Sequence, residues 1–359
     1  MAPSRIFFKW TNYVPVLSWV VYLLHYWITS DLWLIPMGAG LIGSVLAAVH
    51  HAEIIAHRVG QPFGTLVLAI AVTVIEVALI VSLMFAGGDE GLARDTVFAA
   101  VMIILNGMVG LCLLIGGLRY KVQSFELEGV RSTLPVLVSI SALTLILPNY
   151  TVSPPGPEYN HAQLLFVGIV TLVLYGTFIV VQNIRNRDFF LSASEQKEED
   201  EAAAHRPSKR EMTISLVLLL VCLVAVVLIA KALSPGLEQL VRTLNAPPSL
   251  VGVVIAFIVL LPESIAAVRS ARNNHLQKAL NLSLGSALAS IGLTIPTVSA
   301  VSIITGMPLA LGIDIKSTML FFLTLLVLAV GLSTGKTTIM QGVVLLVLFA
   351  VYLFTIIVP

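Results

Sequence analysis

Residues 71–80 read AVTVIEVALI and set one ionisable side chain, Glu76, in the middle of an apolar run; residues 259–268, VLLPESIAAV, do the same with Glu263. A charged side chain at membrane depth costs about 2.5–3.5 kcal/mol on insertion scales and persists mainly where function needs it. Of the 19 Asp and Glu residues, the other seventeen fall in loops, a linker or span ends.

Outward from these two runs, the rest of the chain has the same character. Its 359 residues are 58% hydrophobic and 11% charged, whereas soluble domains are about one quarter charged. Eleven mostly apolar runs are long enough to cross a bilayer, at about 11–28, 32–50, 64–86, 96–118, 130–148, 162–184, 212–233, 248–270, 279–303, 317–333 and 338–357. They are continuous rather than alternating, which means helices and not a barrel. The fold expected is an all-α polytopic membrane protein. The second run holds Pro36 and three glycines, and the ninth holds Gly292 and Pro296, so these two are the runs open to interruption. Arg5 and Lys9 precede the first run without a small-residue cleavage site, giving an uncleaved first span. A formal charge of +1 excludes binding to nucleic acid by phosphate neutralisation. Cys112 and Cys222 lie inside apolar runs, so neither a disulfide framework nor a thiolate metal site is available, and no cofactor is implied.

Basic residues give the orientation, because cytoplasmic loops collect Lys and Arg. With the N-terminus inside, sixteen of the 20 fall on the cytoplasmic side, and only Arg94, Lys231, Arg242 and Lys316 fall outside. The C-terminus is then external. Residues 185–211, with Glu195, Glu198, Glu199, Asp200 and Glu201 before a basic end, read as a solvated cytoplasmic linker. The expected organisation is a first helix in 1–28, five helices in 29–184, the linker 185–211, and five helices in 212–359. An odd number of spans per half turns the second half upside down, the inverted-repeat plan of secondary transporters.

Glu76 and Glu263 occupy the second span of each five-span half, on helices running in opposite directions. Two such carboxylates would meet near the bilayer midplane, where inverted-repeat folds place their ion site. Oxygen donors nearby suit a hard cation: Thr73 is one turn from Glu76, Ser264 adjoins Glu263, and Pro262 removes a helix hydrogen bond beside it. GSALAS, residues 285–290, begins twenty-two residues after Glu263, and NGMVGL, residues 106–111, begins thirty after Glu76; treating AGGDEGLA, residues 86–93, as an insertion makes the separations equal. Asn106, Ser286 and Ser290 are therefore candidates to face the site, with helix packing by small residues the competing explanation. The competing account of the glutamates is a neutral, hydrogen-bonded packing role.

Two look-alikes carry less. GLSTGKT, residues 331–337, is one residue short of a phosphate-binding loop and reads as a cytoplasmic turn. HHAEIIAHRVG puts His50, Glu53 and His57 on one helical face but lacks the HExxH order of a metalloprotease, and reads as an interfacial helix, with proton sensing as the lesser alternative.

AEIIAHRVGQPFGTL before the third span, TVIEV around Glu76, the acidic linker, LLPESIAA around Glu263, GSALAS and STGKTTIMQG together resemble the calcium/cation antiporter superfamily, specifically the cation/proton exchangers of the bacterial ChaA branch. The resemblance spans nearly the whole chain. It implies eleven spans as one extra helix plus two inverted repeats, a bacterial inner membrane, and one essential acidic residue per repeat, here Glu76 and Glu263. The wider family is similar to GNxxE and GNxxEH, whereas this chain has Val72 or Thr73 and Leu260 at the asparagine positions and Ser264 at the histidine position. The ChaA branch shares those departures and is associated with sodium and potassium as well as calcium.

The expected activity is Ca2+/H+ exchange without any enzymatic step, with Na+(K+)/H+ exchange on the same site as the alternative. The partners are then inorganic cations, protons and the bilayer. Two empty carboxylates in a low-dielectric site are unfavourable, so protons or a cation must always neutralise them, which makes the exchange obligatory. A passive channel would need a polar path that the spans hardly supply. An intramembrane enzyme would need an HExxH, an aspartate pair or a Ser and His pairing, none of which lies at membrane depth.

Overall fold

The computed structural model describes residues 10–28, 31–60, 63–85, 90–154, 156–186, 189–190, 207–243, 247 and 249–358. They form eleven helices in chain order: α1 (Trp10–Leu24), α2 (Leu34–Val59), α3 (Phe63–Phe85), α4 (Leu92–Tyr120), α5 (Leu127–Tyr150), α6 (His161–Arg185), α7 (Lys209–Thr243), α8 (Ser249–Arg272), α9 (Leu276–Thr305), α10 (Ile315–Gly331) and α11 (Ile339–Ile357). Nine of the described helices are long and apolar enough to cross a membrane, and α10 is a shorter apolar helix. Thus the protein is an all-helical integral membrane protein, an extra first helix followed by two inverted sets of five.

The runs expected to be interrupted are continuous. In α2, Pro36 sits in the first turn, where its missing N–H breaks no helical hydrogen bond. Gly43 of α2 is pressed against Val14, where a Cβ would come within 2.7 Å, so the glycine lets α1 lie close. In α9, Pro296 stays inside a 30-residue helix. Gly292 packs its backbone on the Tyr175 ring of α6, leaving 2.8 Å for a Cβ. Lipid tails are as apolar as leucine, so close backbone approach of this kind, rather than hydrophobic exclusion, holds helices together in the membrane. The chain between 50 and 59, expected as a separate interfacial helix, is instead the last turns of α2. Likewise α7 begins at Lys209, inside the stretch expected as linker. Glu195, Glu198, Glu199, Asp200 and Glu201 lie outside the described residues.

Hydrogen bonds sort the loops onto two faces. A two-residue strand β1 (Gln123–Ser124), after α4, pairs antiparallel with β2 (Lys336–Thr337), after α10. GLSTGKT therefore ends in a short strand after a left-handed Gly335 at φ 69°. Gln123 also donates to Ala271 O and Asn274 at the α8–α9 turn, and Arg58 in the last turn of α2 donates to Pro207 O before α7. On the opposite face, Ala310 N–H donates to Glu90 O, Leu311 N–H to Pro157 O, and Arg94 to Gly312 O. Loops that alternate in the sequence thus alternate between faces, so α3 and α8 run in opposite directions.

Two buried cores result. One is built from α1, α2 and α7 with parts of α3 and α8; the larger is built from α4, α5, α6, α9, α10 and α11. The helices α3 and α8 belong to both. Ile75, Leu79 and Leu83 of α3 enter the first core and Ile80 the second, while Val251, Ile255 and Val259 of α8 enter the first and Val253, Ala256 and Leu260 the second.

Candidate functional site

Along α3, Val72, Thr73, Ile75, Glu76, Leu79 and Ile80 are buried while Ile70 and Val74 face outward, a helical stripe that carries Glu76 inward with its apolar neighbours. The same stripe in α8 runs through Val259, Leu260, Glu263 and Ala267, with Phe257 and Ile265 outside. Glu76 is 5% exposed and Glu263 8% exposed. Each is near the middle of its helix.

The two carboxylates converge on one helix. Ser286 Oγ donates to Glu263 Oε2 at 2.5 Å, and Ser290 Oγ donates to Glu76 Oε2 at 2.8 Å. The serines are four residues apart on α9, so they share a face and sit about 6 Å apart along the axis. Glu76 Oε1 is buried without a hydrogen-bond partner among the described residues. Beside it lies a narrow recess between α4 and α8, bounded by Ile80, Thr96, Ala100 and Ala256, with no space for a water. Among the described residues neither carboxylate is ion-paired. The two glutamates therefore form an acidic pair with hydroxyl donors and, among the described residues, no counter-charge.

Other residues singled out from the sequence turn elsewhere. Thr73 Oγ1 donates to Ala69 O at 2.9 Å and Ser264 Oγ to Leu260 O at 2.8 Å, each one turn back along its own helix. Asn106 lies in a π-helical turn of α4, Ile103–Met108, and donates to Thr324 Oγ1 of α10 at 3.0 Å. Thr324 and Thr96 carry no mark in the sequence, because a lone threonine in an apolar helix gives no signal. At the end of α2, His50 Nδ1 lies 3.8 Å from Glu53, while the buried His51 contacts Ser215 and Thr11 O. Among the described residues no three His, Cys, Asp or Glu side chains gather as a metal cluster.

The family described as Sodium/calcium exchanger protein matches residues 30–183 and 214–358 in two blocks. A protein of Sinorhizobium fredii named as an ionic transporter, y4hA, is 46% identical over 95% of this chain and 96% of its own length. The Sodium-potassium/proton antiporter ChaA of Escherichia coli is 33% identical over 88% of this chain and 86% of its own. Among solved structures, the Ca2+/H+ antiporter YfkE superposes with a TM-score of 0.71 at 17% identity, covering 99% of this chain and 100% of that one. The H+/Ca2+ exchanger CAX gives 0.70 at 15% identity, covering 96% and 86%. At those identities the structures establish the shared fold.

Proposed function

Since the chain belongs to the sodium/calcium exchanger protein family and is a cation antiporter of that type, we propose that it exchanges Ca2+ for H+ across the bacterial inner membrane, with Glu76 and Glu263 holding cation and protons in turn. The observation that carries this reading is the anchoring of both carboxylates by Ser286 and Ser290 of one helix. Two carboxylates and two hydroxyls offer six oxygens, the lower end of the roughly 6–8 that Ca2+ takes. One Ca2+ or two protons balances the pair, so it crosses loaded either way and hardly ever empty.

The two cores support alternating access. They meet along α3 and α8, the helices that bear the glutamates, so rocking one bundle against the other opens the pair to each side in turn. The five helices α2–α6 and the five helices α7–α11 supply the two inverted halves. The N-terminus is then cytoplasmic and Pro359 external. A reporter active only in the cytoplasm and fused after Pro359 should stay silent, and activity there would overturn the orientation.

A second reading, Na+(K+)/H+ exchange on the same pair, is favoured by the printed name of the 33% identical ChaA relative. Proton flux in inverted vesicles, with Ca2+, Na+, K+ and Mg2+ offered separately, distinguishes the two. Ca2+-driven flux supports the first, monovalent-driven flux the second, and flux that ignores a pH gradient contradicts both.

A further inference from the structure

On the side of α8 turned away from α3, a cavity of about 450 Å³ opens between α4, α8 and α11. Its walls are apolar: Leu111 of α4, Phe257, Leu261 and Ile265 of α8, and Phe349 of α11. Phe257, Ile265 and Leu111 are 40–53% exposed on the surface that faces the bilayer. One end is different. Arg269 and Arg272, three residues apart and therefore on one face of α8, close the cavity at the basic face of the protein. Among the described residues neither guanidinium is paired with a carboxylate. Tyr120 donates to Arg272 O at 3.0 Å, and Arg119 lies over the Tyr120 ring at 5.6 Å, so a third guanidinium gathers at the same level.

We propose that this cavity is a binding site for an anionic phospholipid, with one acyl chain in the apolar groove and the headgroup phosphate on Arg269 and Arg272. Orientation rules account for arginine on this face but not for two guanidiniums, unpaired among the described residues, at the mouth of a lipid-facing groove. A cation vestibule would need polar walls and a repulsion-free mouth, and this cavity has neither. Basic pockets between spans on the cytoplasmic side recognise anionic headgroups, and the planar guanidinium fork matches phosphate oxygens. Ser264, beside Glu263, also lines the groove, so the acyl chain would press on the turn of α8 that carries the glutamate.

The test is native mass spectrometry of the delipidated full-length protein, titrated separately with phosphatidylglycerol, phosphatidylcholine and inorganic phosphate. The wild type should retain phosphatidylglycerol over phosphatidylcholine. Arg269→Gln with Arg272→Gln should erase that preference by roughly thirtyfold, given the attraction each near-surface arginine exerts on anionic lipid. Leu111→Trp, which fills the groove and keeps both arginines, should lose phosphatidylglycerol as well. Equal retention of the two lipids by the wild type, or an unchanged preference in the double variant, would overturn the site. Phosphate binding that survives Leu111→Trp and displaces phosphatidylglycerol would overturn the lipid assignment.

Discussion

Helices α4 and α9 hold the same place, third of five, in the two halves, yet they treat the carboxylates differently. α9 is regular over 30 residues and presents Ser286 and Ser290 to both glutamates. α4 is broken by the π-turn of Ile103–Met108, which sends Asn106 to Thr324 on α10. A π-turn adds a residue to the helical cycle, and Asn106, inside it, turns to α10 and not to the glutamates. The acidic pair is matched across the inverted halves, and its hydroxyl shell comes from one of them. Backbone symmetry therefore does not extend to the chemistry of the site.

The largest effect separates the glutamates from everything around them. Glu76→Gln or Glu263→Gln keeps size and hydrogen bonding but removes the charge, and either should abolish exchange in vesicle flux assays while the protein still reaches the membrane. Glu→Asp, one methylene shorter, should keep partial activity with weaker cation binding. A purely packing glutamate would give the reverse order, because Gln would then be the milder change. Next in size, Ser286→Ala with Ser290→Ala should weaken cation affinity about tenfold or more without removing exchange, since a hydrogen bond to a charged group contributes about 1.5–3 kcal/mol. The matching change in α4, Asn106→Leu, should leave cation affinity within about twofold. An equal loss from both would erase the distinction between α4 and α9.

Smaller still is the stability cost of the Asn106 to Thr324 contact. Interhelical hydrogen bonds in membranes average about 0.6 kcal/mol and reach about 1.7. Thr324→Val should lower thermal stability by that order, measured by unfolding in detergent, with transport kept. Smallest of all, neutralising Glu195, Glu198, Glu199, Asp200 and Glu201 together should leave exchange measurable, because so dense a charge run with no apolar anchor reads as a linker and not as part of a transport path. Loss of flux in correctly inserted protein would contradict that.

How far the sequence could be read depended on the kind of signal. Spans declare themselves by length and apolarity, and buried carboxylates by their cost, so eleven helices and Glu76 and Glu263 were legible. GSALAS was legible as small and polar, and Ser286 and Ser290 reach the carboxylates from it. Thr73, Ser264 and Asn106 share the same vocabulary but direct their hydrogen bonds to their own helices or to α10. A hydroxyl in a helix can always fall back on the carbonyl one turn behind, and residue type alone does not say which choice it makes. The π-turn had no sequence mark at all. Pro36, Gly292 and Pro296 looked like interruptions and are not, because a first-turn position and close neighbours absorb them.

Proton release on cation binding tests the central claim most directly. Purified protein in weakly buffered detergent solution is given Ca2+, Na+ or K+, and the pH change is recorded. If cation and protons compete for the same carboxylates, the transported cation should release protons from the wild type, and the Glu76→Gln, Glu263→Gln double variant should release none. Cation binding by the wild type without proton release, or equal release from the double variant, would contradict exchange at this pair.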